Sequence, residues 1–324
     1  MKMWESLRVL LGGKPRKIPV EQYSSQAQQI HFIKREEKLT KEKLAEMEAE
    51  HIKSRRHHYW RNRRWIVLII TNLLFVVSFG LDIQILEGAL TASRFIGFHF
   101  ADLNSALQVM LAFKEVLINL LIGTTTVLIL WWLLGGRTFC SWVCPYHLMA
   151  EFAEKIHLKL VEKKIIKDHP FDRRLRTVLY FIFAILAFVT GYTVFETINP
   201  VGILSRALIY GASLALSWVA ILLLFEIFYS RRAWCRYICP IGITYGVIGV
   251  FSPLQIKYTL QNCQHEGECL KVCLVPHVLE CVKKGRASNE EMFIGADCTR
   301  CGLCVDTCPT NSLTFHLKGL SNFS

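Results

Sequence analysis

Four long uncharged runs of this 324-residue sequence, 65–81, 116–136, 177–195 and 207–225, contain no histidine. A haem held by two histidines inside such runs therefore has no ligands there. No Cys-x2-Cys-His occurs either, which excludes covalent c-type haem, so no haem is expected. The runs also lack the ionisable residues of an ion pump. The first residues, MKMWESLRVLLGGKPRK, offer too short an apolar stretch and no small-residue cleavage site, so no export signal is read. No cysteine precedes position 140. A long, apolar chain with grouped thiols and no export signal is not a secreted disulfide scaffold, and its thiols point to metal or redox chemistry.

What the sequence has in abundance is apolar surface and positive charge. It is 52% hydrophobic, too apolar for an ordinary soluble domain, with a formal net charge of +12. The basic residues crowd beside the apolar runs, a pattern of membrane topology and not of nucleic-acid binding. A bilayer crossing needs roughly 17–25 helical residues, and the four runs meet or nearly meet that length. Six Lys and Arg stand in 46–64, two in 82–115, nine in 135–176 and one in 196–206. This alternation predicts a multi-pass protein of a bacterial inner membrane with both termini cytoplasmic. Residues 34–56 read as a charged, solvent-exposed helix. The apolar stretch 241–252 is too short to span and reads as an interfacial or packed helix.

The twelve cysteines fall in three groups of four. GRTFCSWVCP (136–145) and RRAWCRYICP (231–240) repeat one pattern, Arg-x-aromatic-Cys-x3-Cys-Pro, each at the end of an apolar run. Residues four apart share a helix face, so Cys140/Cys144 and Cys235/Cys239 are predicted to arrive on one side as a metal site, a further cluster or a redox pair. CTRCGLCVDTCP (298–309) has the Cys-x2-Cys-x2-Cys-x3-Cys-Pro spacing that holds a [4Fe–4S] cube and lends its fourth Cys to a second cluster. The partner run, NCQHEGECLKVCLVPHVL (262–279), has Cys263, Cys269 and Cys273 but Glu266 in the second slot. One cluster is thus assigned to Cys298, Cys301, Cys304 and Cys273. The other is assigned to Cys263, Cys269 and Cys308, with Glu266, Cys281 or no protein group as fourth ligand. The first is read as [4Fe–4S], the second as [4Fe–4S] or [3Fe–4S].

Two kinds of carboxylate remain. Glu226 stands near the end of the fourth run, paired with Arg231 or Arg232 or tuning the thiols. Glu196 lies in VFETINPVGILSR (194–206), with Asp82, Glu87 and Asp102 in the other outward segment. A carboxylate at that depth suits the proton-accepting base of quinol oxidation, and Glu196 is the first candidate.

Taken together, FCSWVCP, INPV, CPIG and PHVL resemble the NapH family over roughly residues 60 to 315, with NosR-type, CcoG-type and MauN proteins as relatives. The resemblance implies an iron–sulfur quinol dehydrogenase subunit. Such a subunit draws electrons from menaquinol or ubiquinol and passes them to a NapG-type polyferredoxin and on to a periplasmic nitrate or nitrous oxide reductase. The alternative it carries is a CcoG-type, copper-reducing assembly factor. The expected architecture is an all-α membrane bundle of four transmembrane helices with a C-terminal bacterial ferredoxin-like 2[4Fe–4S] α+β domain. Its parts are a cytoplasmic helical arm (1–64), a transmembrane domain (65–252) and a cytoplasmic iron–sulfur domain (253–324).

Overall fold

The computed structural model describes residues 3–36, 58–81, 86–90, 92–95 and 98–318. Most of the charged helix read at 34–56 lies outside them. Near the N-terminus come α1 (Met3–Leu10) and α2 (Ser25–Glu36). The bundle is then built as two similar halves. The first runs through α3 (Tyr59–Gly80), an antiparallel sheet β1 (Leu86–Ala89), β2 (Ala92–Phe95) and β3 (Phe98–Ala101), α4 (Leu103–Phe113), α5 (Ile118–Leu134), α6 (Thr138–Trp142) and α7 (Pro145–Glu162). The second runs through α8 (Arg174–Thr190), α9 (Val194–Ile198), α10 (Pro200–Tyr210), α11 (Ala215–Phe228), a π turn (Trp234–Ile238) and α12 (Ile241–Val250). Each half is a long helix, a short helix turning back, a second long helix, a Cys-x3-Cys-Pro turn and a closing helix.

The short helices begin inside the bundle because their caps require it. The Asp102 carboxylate accepts from the N–H groups of Asn104 and Ser105, starting α4. Asn199 accepts from Val201 N–H, with Pro200 at the first helical position, starting α10. The uncharged run 207–225 is therefore not one span. It is divided between α10 and α11, with Gly211 at φ 95° ending the first. Likewise 177–195 stops at Thr190, where Gly191 takes a left-handed conformation.

Among the described residues, one helix, α3, is long and apolar enough to cross a membrane, and only 17% of its apolar window is buried. The helices α5, α8 and α11 have 17, 17 and 14 residues. All four present large exposed apolar side chains, such as Ile70 and Leu74, Ile122 and Ile129, Phe181 and Ile185, and Ile221 and Phe228. An apolar surface of that extent needs a non-aqueous cover.

The C-terminal domain is a small α+β unit. Its sheet has the order β5–β4–β6, formed by β4 (Leu254–Thr259), β5 (Glu291–Phe293) and β6 (Leu313–Leu317), all antiparallel. Two short helices, α13 (Glu268–Val272) and α14 (Leu303–Thr307), pack together beside it. Ile256, Tyr258, Leu313 and Phe315 form a core around which the tail cysteines gather. The domain docks on one end of the bundle. Asp306 accepts from the N–H groups of Trp60 and Arg61, capping α3 from across the junction. The opposite ends of the long helices form the distal side.

Candidate iron–sulfur and thiol sites

The chain turns sharply after α5. Gly135 and Gly136 both have positive φ, and a Cβ on Gly136 would sit 2.3 Å from the Tyr245 carbonyl oxygen, so only glycine allows this approach. The turn delivers Cys140 on α6, and Cys144 begins α7 ahead of Pro145. In the second half the π turn carries Cys235 and ends at Cys239. The four thiols line one cavity of about 240 Å³ between the bundle and the C-terminal domain. Burial pushes Cys239 up to about 12 and raises the other three, and neighbouring thiols of the set add to the rise at Cys144, Cys235 and Cys239.

The same cavity is lined by Arg137, Arg173, Arg176, Arg232 and Arg236, against one lining carboxylate, Asp297. Arg137 and Arg176 both pair with Asp297 Oδ1, the latter at 2.9 Å, and His277 Nε2 meets Oδ2 at 2.5 Å. Burial opposes the Asp297 charge, yet the two arginines and His277 hold its carboxyl well below the usual range. Burial, then Arg232, Arg64 and Arg137, keep His147 well below the usual histidine range, so it adds no charge. The cavity is thus strongly electropositive and suits an anionic occupant. A cube ligated by four thiolates is a net anion; a bare metal cation is not. Among the described residues no three His, Cys, Asp or Glu side chains converge on a single-ion site.

Seven of the tail cysteines line two separate cavities. Cys273, Cys298, Cys301 and Cys304 line one enclosed cavity with Ile256 and Val278. Val275 and Thr299 line both this cavity and the four-thiol cavity. Cys263, Cys269 and Cys308 line a second tail cavity, and Glu266 lines it with them. Cys281 lines a different cavity, between the N-terminal segment and the domain. Backbone N–H groups point at sulfur as cluster ligation favours: Arg300 N lies 3.4 Å from Cys298 Sγ, His265 N 3.4 Å from Cys263 Sγ and Ser312 N 3.3 Å from Cys308 Sγ. The residues present fit two clusters in the tail, and four thiols in a positive cavity fit a third. Such groups accept and pass single electrons when bound.

One of the carboxylates, Glu226, is placed differently from expectation. Glu226 does not pair with Arg231 or Arg232. Both arginines pair with Glu154 on α7, and Glu226 instead accepts from Trp234 N–H at 2.9 Å, holding the π turn. Glu196 sits half-buried on α9 and accepts from Ser105 Oγ at 2.6 Å. Asp102 is buried beside it, while Asp82 and the side chain of Glu87 lie outside the described residues.

Sequence reasoning missed the N-terminal helix and the arginine latch. Leu10 is fully buried against Gly246, Arg176 donates to Leu10 O, and Ser6 Oγ accepts from Ala296 N–H. Lys34 Nζ donates to the carbonyls of Leu260 and Gln261 and to that of Cys263, clamping the second tail cavity. The Arg before each dithiol was visible in the repeated motif; the partners, Asp297 for Arg137 and Glu154 for Arg232, lie far away in the chain.

Two family models described as "4Fe-4S binding domain" match the chain, one over residues 116–165 and 211–257, the other over 293–314. The first covers both Cys-x3-Cys-Pro turns. The ferredoxin-type protein MauN of Paracoccus denitrificans is 34% identical over 66% of this chain and 75% of its own length. MauN of Methylorubrum extorquens is 28% identical over 82% and 92%. The ferredoxin-type protein NapH of Escherichia coli is 30% identical over 80% and 92%. No solved structure matches.

Proposed function

Because the chain belongs to the NapH and MauN family of ferredoxin-type proteins, we propose that it is a multi-pass membrane subunit that draws electrons from quinol and hands them to an iron–sulfur partner. The single observation that carries this reading is continuity. The four-thiol cavity adjoins the cavity of Cys273, Cys298, Cys301 and Cys304 through Val275 and Thr299. The run 263–273 then supplies both tail cavities, since Cys273 belongs to one and Cys263 and Cys269 to the other.

In this reading Cys140, Cys144, Cys235 and Cys239 hold the site nearest the membrane. Cys273, Cys298, Cys301 and Cys304 hold a [4Fe–4S] cluster, and Cys263, Cys269, Cys308 and Glu266 hold the outermost one. Glu266 is preferred to Cys281 because it shares the cavity. The rim around Gln264 and Thr310 is where a polyferredoxin of the NapG type would dock to serve a nitrate or nitrous oxide reductase. The alternating Lys and Arg counts support a cytoplasmic ferredoxin side. The arginine-lined cavity disfavours the copper-handling alternative, because a free copper ion there meets net positive charge.

The test is anaerobic. Membranes carrying the protein receive a reduced quinol analogue, and the clusters are followed by low-temperature electron paramagnetic resonance. The reading predicts signals with quinol that disappear in Glu196→Gln. Reduction by dithionite only would oppose quinol as donor, and stoichiometric copper uptake by the four thiols would favour the alternative.

A further inference from the structure

Glu196 does not stand alone. Ser105 Oγ lies 2.6 Å from Glu196 Oε1 and 3.3 Å from Asp102 Oδ2, and Tyr245 Oη donates to Asp102 Oδ1 at 2.8 Å. Asp102, Ser105 and Tyr245 are 4%, 8% and 1% exposed, so water does not screen this row. A serine hydroxyl has one proton to donate. It can satisfy both carboxyl groups only when one of them itself carries a proton. Burial raises both Glu196 and Asp102 above the usual carboxylate range, and the neighbouring Asp102 charge adds to the rise at Glu196. At the inner end the Tyr245 ring stacks on Phe139, the residue before Cys140, with centroids 4.9 Å apart.

The two acids come from different halves of the bundle, Asp102 from the cap of α4 and Glu196 from α9. A buried amide nitrogen stands near Asp102 in sequence: Asn104 Nδ2 has no hydrogen-bond partner among the described residues. It is a spare donor of the kind a quinone carbonyl accepts.

We infer that Glu196, Ser105 and Asp102 act as one proton-accepting unit for quinol, with Glu196 at the substrate and Asp102 as the inner reservoir held by Tyr245. This deepens the quinol reading and rests on it. Oxidation of one quinol yields quinone, two electrons and two protons. The electrons pass one at a time to the thiolate-held iron–sulfur sites. With each electron one proton enters at Glu196 of the doubly ionised unit; Glu196 passes it to Ser105 Oγ as the Ser105 hydroxyl gives its own proton to Asp102, which leaves the singly protonated row. The unit returns that proton to water at the half-exposed edge of Glu196 before taking the second.

The test uses the full-length protein in membranes, with Asp102→Asn, Ser105→Ala and the double variant. Asparagine is an equally good helix cap, so α4 keeps its start. Dithionite-reduced signals of normal intensity confirm that each variant is folded and loaded. The inference predicts that quinol-driven reduction slows at least tenfold in each single variant and no further in the double variant, as expected of groups acting as a unit. It also predicts that the redox-induced infrared difference spectrum loses a protonated-carboxyl band in Asp102→Asn. Wild-type quinol rates and an unchanged infrared band in Asp102→Asn, with Glu196→Gln inactive, would overturn the shared unit and leave Glu196 as sole base. A wild-type protein that dithionite reduces and quinol does not would overturn the quinol reading and the unit with it.

Discussion

Asp297 ties the two parts of the molecule together at a single carboxylate. It sits one residue before Cys298 and pairs with Arg137, Arg176 and His277 from three other segments. Removing one partner of a buried pair leaves the others uncompensated, which costs about 3–5 kcal/mol. Asp297→Asn should therefore loosen the domain from the bundle, read as faster proteolysis near residue 253 and a lower melting temperature. Because its folded pKa is depressed, the stabilisation is present above the ordinary aspartate pKa of about 4 and is lost only as pH falls through the lower folded value. A melting temperature that declines already between pH 7 and 5 through this residue would contradict the assignment. Glu266 supports a second residue-scale prediction. Glu266→Cys should give the outer cluster four thiolates and an air-stable [4Fe–4S] signal. Glu266→Ala should shift it to the oxidised [3Fe–4S] signal, and an unchanged spectrum in both would remove Glu266 from the ligand set.

At the scale of elements, much was legible because the chemistry is local. The spacing of the tail cysteines assigns two clusters, and the structure groups the same thiols. The two Cys-x3-Cys-Pro turns line one cavity, but not by sharing a helix face: α6 ends at Trp142 before Cys144, and the second pair sits on the π turn and its end. What hydropathy could not reveal was α10. A helix that turns back inside an apolar run keeps the run's composition, and only the Asn199–Pro200 cap and Gly211 betray it. The arginine latch and the Asp102–Tyr245 bond were hidden because both join residues far apart in the chain. The Gly135–Gly136 turn gives the element-scale prediction. Gly136→Ala places a methyl group 2.3 Å from the Tyr245 carbonyl oxygen at a φ of +69°, so α6 must shift. The expected result is loss of iron from the four-thiol site with both tail clusters retained; full iron content would show that the turn tolerates a side chain.

Across the whole molecule, the four-thiol cavity adjoins the cavity of Cys273, Cys298, Cys301 and Cys304, with charge arranged around them. Acids gather where α4 and α9 meet, arginines surround the four thiols, and the tail sites follow in order through Thr299 and Cys273. The described N-terminal residues brace the junction rather than hang free, since α1 packs on α12 and Lys34 grips the loop of Cys263. The central claim is that electrons enter through the four-thiol site. The measurement that tests it most directly is electron paramagnetic resonance of Cys235→Ser/Cys239→Ser membranes, reduced in parallel with quinol and with dithionite. The account predicts that dithionite still reduces both tail clusters while quinol no longer does. Normal quinol reduction of the tail clusters in that variant would contradict it.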